Sequence, residues 1–157
     1  MGDDTASSNQ KAFDAAQLER DRTLIAARRV EDALSRASGG RTWAADLQSS
    51  LGSLRDAMTE ERQELERPGS LLAMISAERP RRFGPRVRGI REQFDDIVRQ
   101  LESFQRELEH GDGSVGDVGE VRHRADWIIR ALHNCRNRQA DLVFEALELD
   151  LGDSHDQ

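Results

Sequence analysis

The chain has 157 residues, 17.7 kDa and a formal net charge of -7, with charged residues at 34% and aromatics at 4%. One domain with a real core is the default at this length. The acidic balance excludes non-specific nucleic-acid binding, which needs basic surface to release counterions, and the scarcity of β-branched and aromatic runs leaves strands little to start from.

The opening, MGDDTASSNQ, lacks the basic and apolar regions of a signal peptide and reads as a frayed start over residues 1–8. A helical pattern runs from there to about Ala37, with Leu18, Leu24, Ile25, Val30 and Leu34 as its apolar residues, and Ser38-Gly39-Gly40 stops it. The next helix runs from about Thr42 to Glu66, before Pro68-Gly69. It places Trp43, Leu47, Leu51, Leu54, Met58, Glu61 and Leu65 at steps of three and four. A short apolar piece, Leu71 to Ala77, predicts one or two helical turns, and Pro80, Gly84 and Pro85 break the chain after it.

A third long helix is expected from about Pro85, a suitable first-turn proline, to Glu109, with a seam of Val87, Ile90, Phe94, Ile97, Leu101, Phe104 and Leu108. After the Gly111–Gly116 loop, a fourth runs from about 117 to 150, closed by Gly152, with Val121, Ala125, Ile128, Leu132, Cys135, Gln139, Leu142, Ala146 and Leu149 as its seam. Seams of this kind pack helices at about 20°. The expected fold is all-α: an up-down-up-down four-helix bundle over residues 9–152 with a short extra helix between helices 2 and 3, and a flexible tail at 153–157.

No stretch approaches the roughly 20 apolar residues of a membrane span. The one cysteine, Cys135, cannot form an internal disulfide, which points to a reducing, cytoplasmic setting. Lys11 is the only lysine. There is no Gly-rich phosphate loop, no Cys-x-x-Cys and no Ser-His-Asp candidate, which argues against an enzyme built on one of those motifs.

The seams carry polar exceptions. Glu61 interrupts helix 2, Cys135 and Gln139 are consecutive seam positions of helix 4, Asp21 lies three residues from both Leu18 and Leu24, and Gln93 flanks the seam of helix 3. Asp21, Gln93 and Cys135 each stand 18 residues, and Glu61 21 residues, from the same end of the bundle. At a rise of ~1.5 Å per residue they share one level, about 27–32 Å from that end. Bundles build metal and cofactor sites in such layers, but single polar core residues also serve only to set register, or pair with an inward arginine such as Arg28.

Two Glu-x-x-His motifs, Glu107 to His110 and Glu120 to His123, match the di-iron bundle motif in spacing but flank the Gly loop off the main seams. Arg79, Arg81, Arg82, Arg86, Arg88 and Arg91 cluster around the break before helix 3, as an anion patch or as arginines that pair with neighbouring carboxylates. His133 has mostly polar neighbours one turn away and is expected in solvent.

The stretch ERPGSLLAMISAERPRRFGPRVRGIREQFDDI, and the later RQADLVFEALELDLG, resemble the same regions of bacterial hemerythrin-like proteins. That resemblance, from about residue 15 to 152, implies a four-helix bundle holding a non-haem di-iron centre. The family's iron-ligand histidines would fall at Asp21, Glu61, Gln93 and near Cys135, with the following acidic ligand near Gln139, and none of these is histidine here. It therefore implies a diverged member without its di-iron centre, acting as a non-catalytic binding or regulatory module with no cofactor and a protein partner. The alternatives are an interaction or dimerisation module unrelated to metal, and an iron-type sensor or enzyme with an unusual donor set.

Overall fold

A computed structural model describes residues 2–36, 41–110 and 117–155, and they form five helices: α1 (Gly2–Ser35), α2 (Arg41–Glu66), α3 (Leu71–Glu78), α4 (Pro80–Glu109) and α5 (Val118–His155). No strand occurs among the described residues. The expected stop at Ser38-Gly39-Gly40 and the Gly111–Gly116 loop lie outside them. The four long helices make an all-α bundle, and α3 is the expected short extra helix.

The order around the bundle follows from the cross-links. Trp43 of α2 donates its indole N–H to the carbonyl of Ala33 in α1 at 2.6 Å, and Arg22 of α1 reaches Glu60 of α2 at 3.5 Å. Arg62 of α2 faces Asp95 of α4 at 3.7 Å, while Arg91 of α4 donates to the carbonyl of Leu65 at 2.9 Å. Arg86 of α4 pairs with Glu145 of α5, and Arg124 of α5 pairs with Glu107 of α4. In each helix pair, partners run in opposite order along the chain, so the bundle is up-down-up-down.

Its core is the four seams. Leu47, Leu51, Leu54 and Met58 meet Phe94, Ile97, Leu101, Leu132 and Leu142 with essentially no exposure. α1 differs from the expectation. Leu18 and Ile25 are exposed, and the buried face is Ala12, Thr23, Ala26, Ala27, Val30 and Ala33. Small side chains on that face let α1 approach its neighbours closely, and they leave no stripe of large apolar residues in the sequence.

The boundaries also shift. α1 begins at Gly2, although Asp4 and residues 6–11 are exposed and contribute no burial. α4 begins at Pro80, with Pro80 rather than Pro85 in the first turn; Pro85 lies inside the helix, so the Arg81 carbonyl loses the donor it would normally meet. The earlier start is held by Phe83, which is buried in the core and whose N–H bonds the Arg79 carbonyl at 2.9 Å. α5 continues through Gly152 to His155.

The bend between α2 and α4 is fixed by Ser70. This buried N-cap accepts the N–H of Ala73 at 3.3 Å and donates to the Leu65 carbonyl at 3.1 Å. One side chain thus satisfies the start of α3 and shares with Arg91 the Leu65 carbonyl at the end of α2. The α3 helix closes this end of the bundle with Leu72 and Ile75 in the core.

Candidate functional site

The ionisable groups that burial perturbs, among the described residues, meet halfway along the bundle. Glu61, which the seam of α2 turns inward, has a side chain 4% exposed, and Arg136 of α5 places a guanidinium nitrogen 3.4 Å and 3.5 Å from its two oxygens. Arg136, itself only 13% exposed, is close enough to α1 to feel the charges of Arg20 and Asp21. Thr23 of α1, fully buried, adds a hydroxyl that hydrogen-bonds the Glu61 carboxylate or the Glu19 carbonyl, the latter at 3.1 Å. Cys135 is buried, donating weakly to the Ile90 carbonyl at 3.9 Å, and Gln139 donates its amide to the Cys135 sulfur at the same distance.

Burial dominates the electrostatics. Loss of water pushes the Glu61 carboxyl above its ordinary range, against the lowering pull of Arg136 and of the Thr23 hydrogen bond. Burial lowers Arg136 in turn, opposed by Glu61. The Cys135 thiol is pushed up to about 11, first by burial and then by the Glu61 charge. A thiol so placed is neither a nucleophile nor a ready metal ligand near neutral pH.

Glu61, Cys135 and Gln139 thus lie together. Asp21 does not join them in the interior: it is exposed, because the buried face of α1 runs through Thr23 and Ala27, and only its charge reaches Arg136. Gln93 is half-buried and turned to the outer α4–α5 seam, where it donates to Asn134 at 3.2 Å and accepts from Arg138. The inward arginine is Arg136, not Arg28, which is exposed. Sequence reasoning misses Arg136 and Thr23. The available signal is that Arg136 follows Cys135 by one residue and so sits at the height of Glu61, where a buried carboxylate requires a cation.

Beside the pair lies a cavity of about 20 Å³ bordered by Glu19, Arg20, Glu61, Ser70 and Gln139 among others. That is room for about one water molecule, far below the ~300 Å³ of the smallest ordinary ligand pockets. Glu19 Oε2 and the Nε and Nη1 of Arg136 are buried without protein partners.

A di-iron centre, as the hemerythrin-like resemblance implies, does not fit these residues. Among the described residues no three histidine, cysteine, aspartate or glutamate side chains come together in a way that holds a metal ion. Iron in such sites takes imidazole and carboxylate. Here the counter-charge to Glu61 is a guanidinium, which stays protonated and cannot ligate.

The other motifs resolve into surface structure. Glu107, His110, Glu120 and His123 are exposed, and Glu107 is taken by Arg124. His133 is half-exposed, 3.8 Å from Glu31. In the arginine cluster, Arg82 and Arg86 share Glu145 and lie over the Phe83 ring, while Arg91 caps the end of α2.

Fold and centre together define an all-α bundle with an ion-paired interior. Compared with protein-family models, curated proteins and solved structures, the chain matches none. No helix among the described residues is long and apolar enough to cross a membrane.

Proposed function

We propose that this chain is a non-catalytic binding or regulatory module, a diverged hemerythrin-like bundle in which an ion pair stands where the family holds iron. The observation that carries this reading is the Arg136 guanidinium on Glu61, at a level the resemblance assigns to metal ligands. A cation built into the chain neutralises the carboxylate, and the adjoining space admits no substrate. The buried, unreactive Cys135 suits a cytoplasmic setting.

A second reading, a helical interaction module with no metal ancestry, is favoured by Asp21 and Gln93, which leave two of the expected layer positions outside the centre. Both readings make the surface, not the interior, the working part.

Elemental mass spectrometry on untagged protein, purified without chelator from cells supplied with iron, manganese and zinc, tests the proposal. Sub-stoichiometric metal is expected for the native chain and for Arg136→Ala alike. Near-stoichiometric metal that disappears in Glu61→Ala would overturn it.

A further inference from the structure

The bundle is least closed between α1 and α5. At the end where α3 sits, Phe13 is 45% exposed, Phe144 63% and Leu147 55%. These three, with Ala16, Leu71 and Val143, line an open groove of about 230 Å³. Isolated exposed apolar residues are ordinary, but two phenylalanines and a leucine along one groove are not. The volume is below that of drug-sized ligand pockets, and it suits side chains that enter from a docked segment.

The rim decides what segment. Asp14 and Asp21, three residues before and four after the groove-lining Gln17 on α1, are exposed carboxylates. Asp141 and Glu148 stand in the same relation to Phe144 on α5, and both are exposed. The wall contributes one cation, Arg20. An apolar floor between two acidic edges is complementary to a helix whose apolar stripe is flanked by Lys or Arg. A second copy of this chain fits poorly, since a two-fold contact here would set one acidic rim against another in a chain already at -7. The groove-lining stretches Phe13 to Arg20 and Ala140 to Leu147 each rise about 10 Å, so they take two turns of a partner helix.

We propose that the α1–α5 groove docks a basic amphipathic helix of another protein, anchored by apolar residues on successive turns. This rests on the binding-module reading and names the partner chemistry for it.

The test uses the full-length, ¹⁵N-labelled chain and three synthetic amidated peptides: a helix with leucines at i, i+4 and i+7 flanked by lysines, its twin with glutamates for the lysines, and a scramble that disperses the leucines. The lysine helix is expected to bind and to shift amides around Phe13, Ala16, Val143 and Leu147. Phe144→Ser/Leu147→Ser, and separately Asp141→Lys/Glu148→Lys, should each weaken binding about tenfold or more without lowering the melting temperature. The glutamate twin should fail, and added salt should weaken the complex. Absence of binding, equal binding of the scramble, or shifts centred on another face would overturn the assignment. So would sedimentation showing self-association that Phe144→Ser abolishes, which would give the groove to a second copy. Metal content remains the separate test of the module reading, so a metal-free chain that ignores the lysine helix loses only this assignment.

Discussion

Arg136 reaches across from α5 to place its guanidinium 3.4 Å from the carboxylate of Glu61 on α2, inside the bundle. The separation is longer than the 2.7–2.9 Å typical of charge-assisted hydrogen bonds. Two of the guanidinium nitrogens lack protein partners. The pair is therefore a neutralised charge rather than a tight clamp, and desolvation weighs on both members.

The two members are not equivalent, because Glu61 is the deeper one. Removing Glu61 leaves a long, partly exposed side chain that can turn to solvent; removing Arg136 leaves a buried carboxylate with only the weaker pull of Arg20 and no way out. Arg136→Met is expected to cost about 3 kcal/mol at pH 7, the low end for breaking a buried pair, which is a fall of about 6–12 °C in Tm for a chain of this size. Glu61→Leu should cost much less, and Glu61→Leu/Arg136→Met should be neutral or stabilising. Thermal and urea unfolding of the three variants checks the order; equal losses from the two single changes would refute it.

Because burial raises the Glu61 carboxyl in the folded chain, folding takes up a proton between the unfolded value of 4.5 and the raised folded one. The native state then binds more protons than the unfolded state across that window, so the Glu61 contribution to stability falls as pH rises through it. Glu61→Gln removes this dependence. The stability difference between Glu61→Gln and the native chain should grow in favour of the variant from pH 4.5 upward and level off once Glu61 is ionised. A difference that moves the other way would mean that Arg136 outweighs the burial penalty.

The large-residue seams were legible in the sequence because period 3.5 leaves a strong trace when the buried residues are Leu, Ile and Phe, as on α2, α4 and α5. α1 was poorly legible because its buried face is mostly alanine and threonine, residues that burial does not distinguish by type, while its larger Leu18 and Ile25 face outward. That misreading put Asp21 in the interior. Glu61 and Gln139 were legible as seam exceptions, whereas Arg136 was not, since a long side chain beside the seam reaches inward or outward according to what it meets there. The groove was invisible for a related reason: Phe13, Phe144 and Leu147 become one surface only when α1 and α5 lie side by side.

The two tryptophans report on different places. Trp43 is buried and bonded to the Ala33 carbonyl, tying the start of α2 to the end of α1, while Trp127 on α5 is 50% exposed. Trp43→Phe keeps most of the packing but leaves that carbonyl without its indole donor, at a cost of about 1–3 kcal/mol in urea unfolding. In Trp127→Phe, the remaining fluorescence should be blue-shifted and resistant to acrylamide. Strong quenching there would contradict the burial of Trp43.

Cys135 gives the most direct view of the interior. Its sulfur lies in a residue with no solvent exposure, and its thiol sits at about 11, so at about pH 8 both access and ionisation oppose attack. An aromatic disulfide reagent should label the native chain only as fast as the bundle opens, and at once in urea. Opening the centre with Arg136→Met should speed labelling, because native reaction runs through the open state and a less stable bundle populates that state more. Glu61→Leu/Arg136→Met should restore slow labelling if the pair is replaceable by apolar packing. Fast labelling of the double variant with unchanged global stability would instead show that the ion pair seals the α1–α5 side locally.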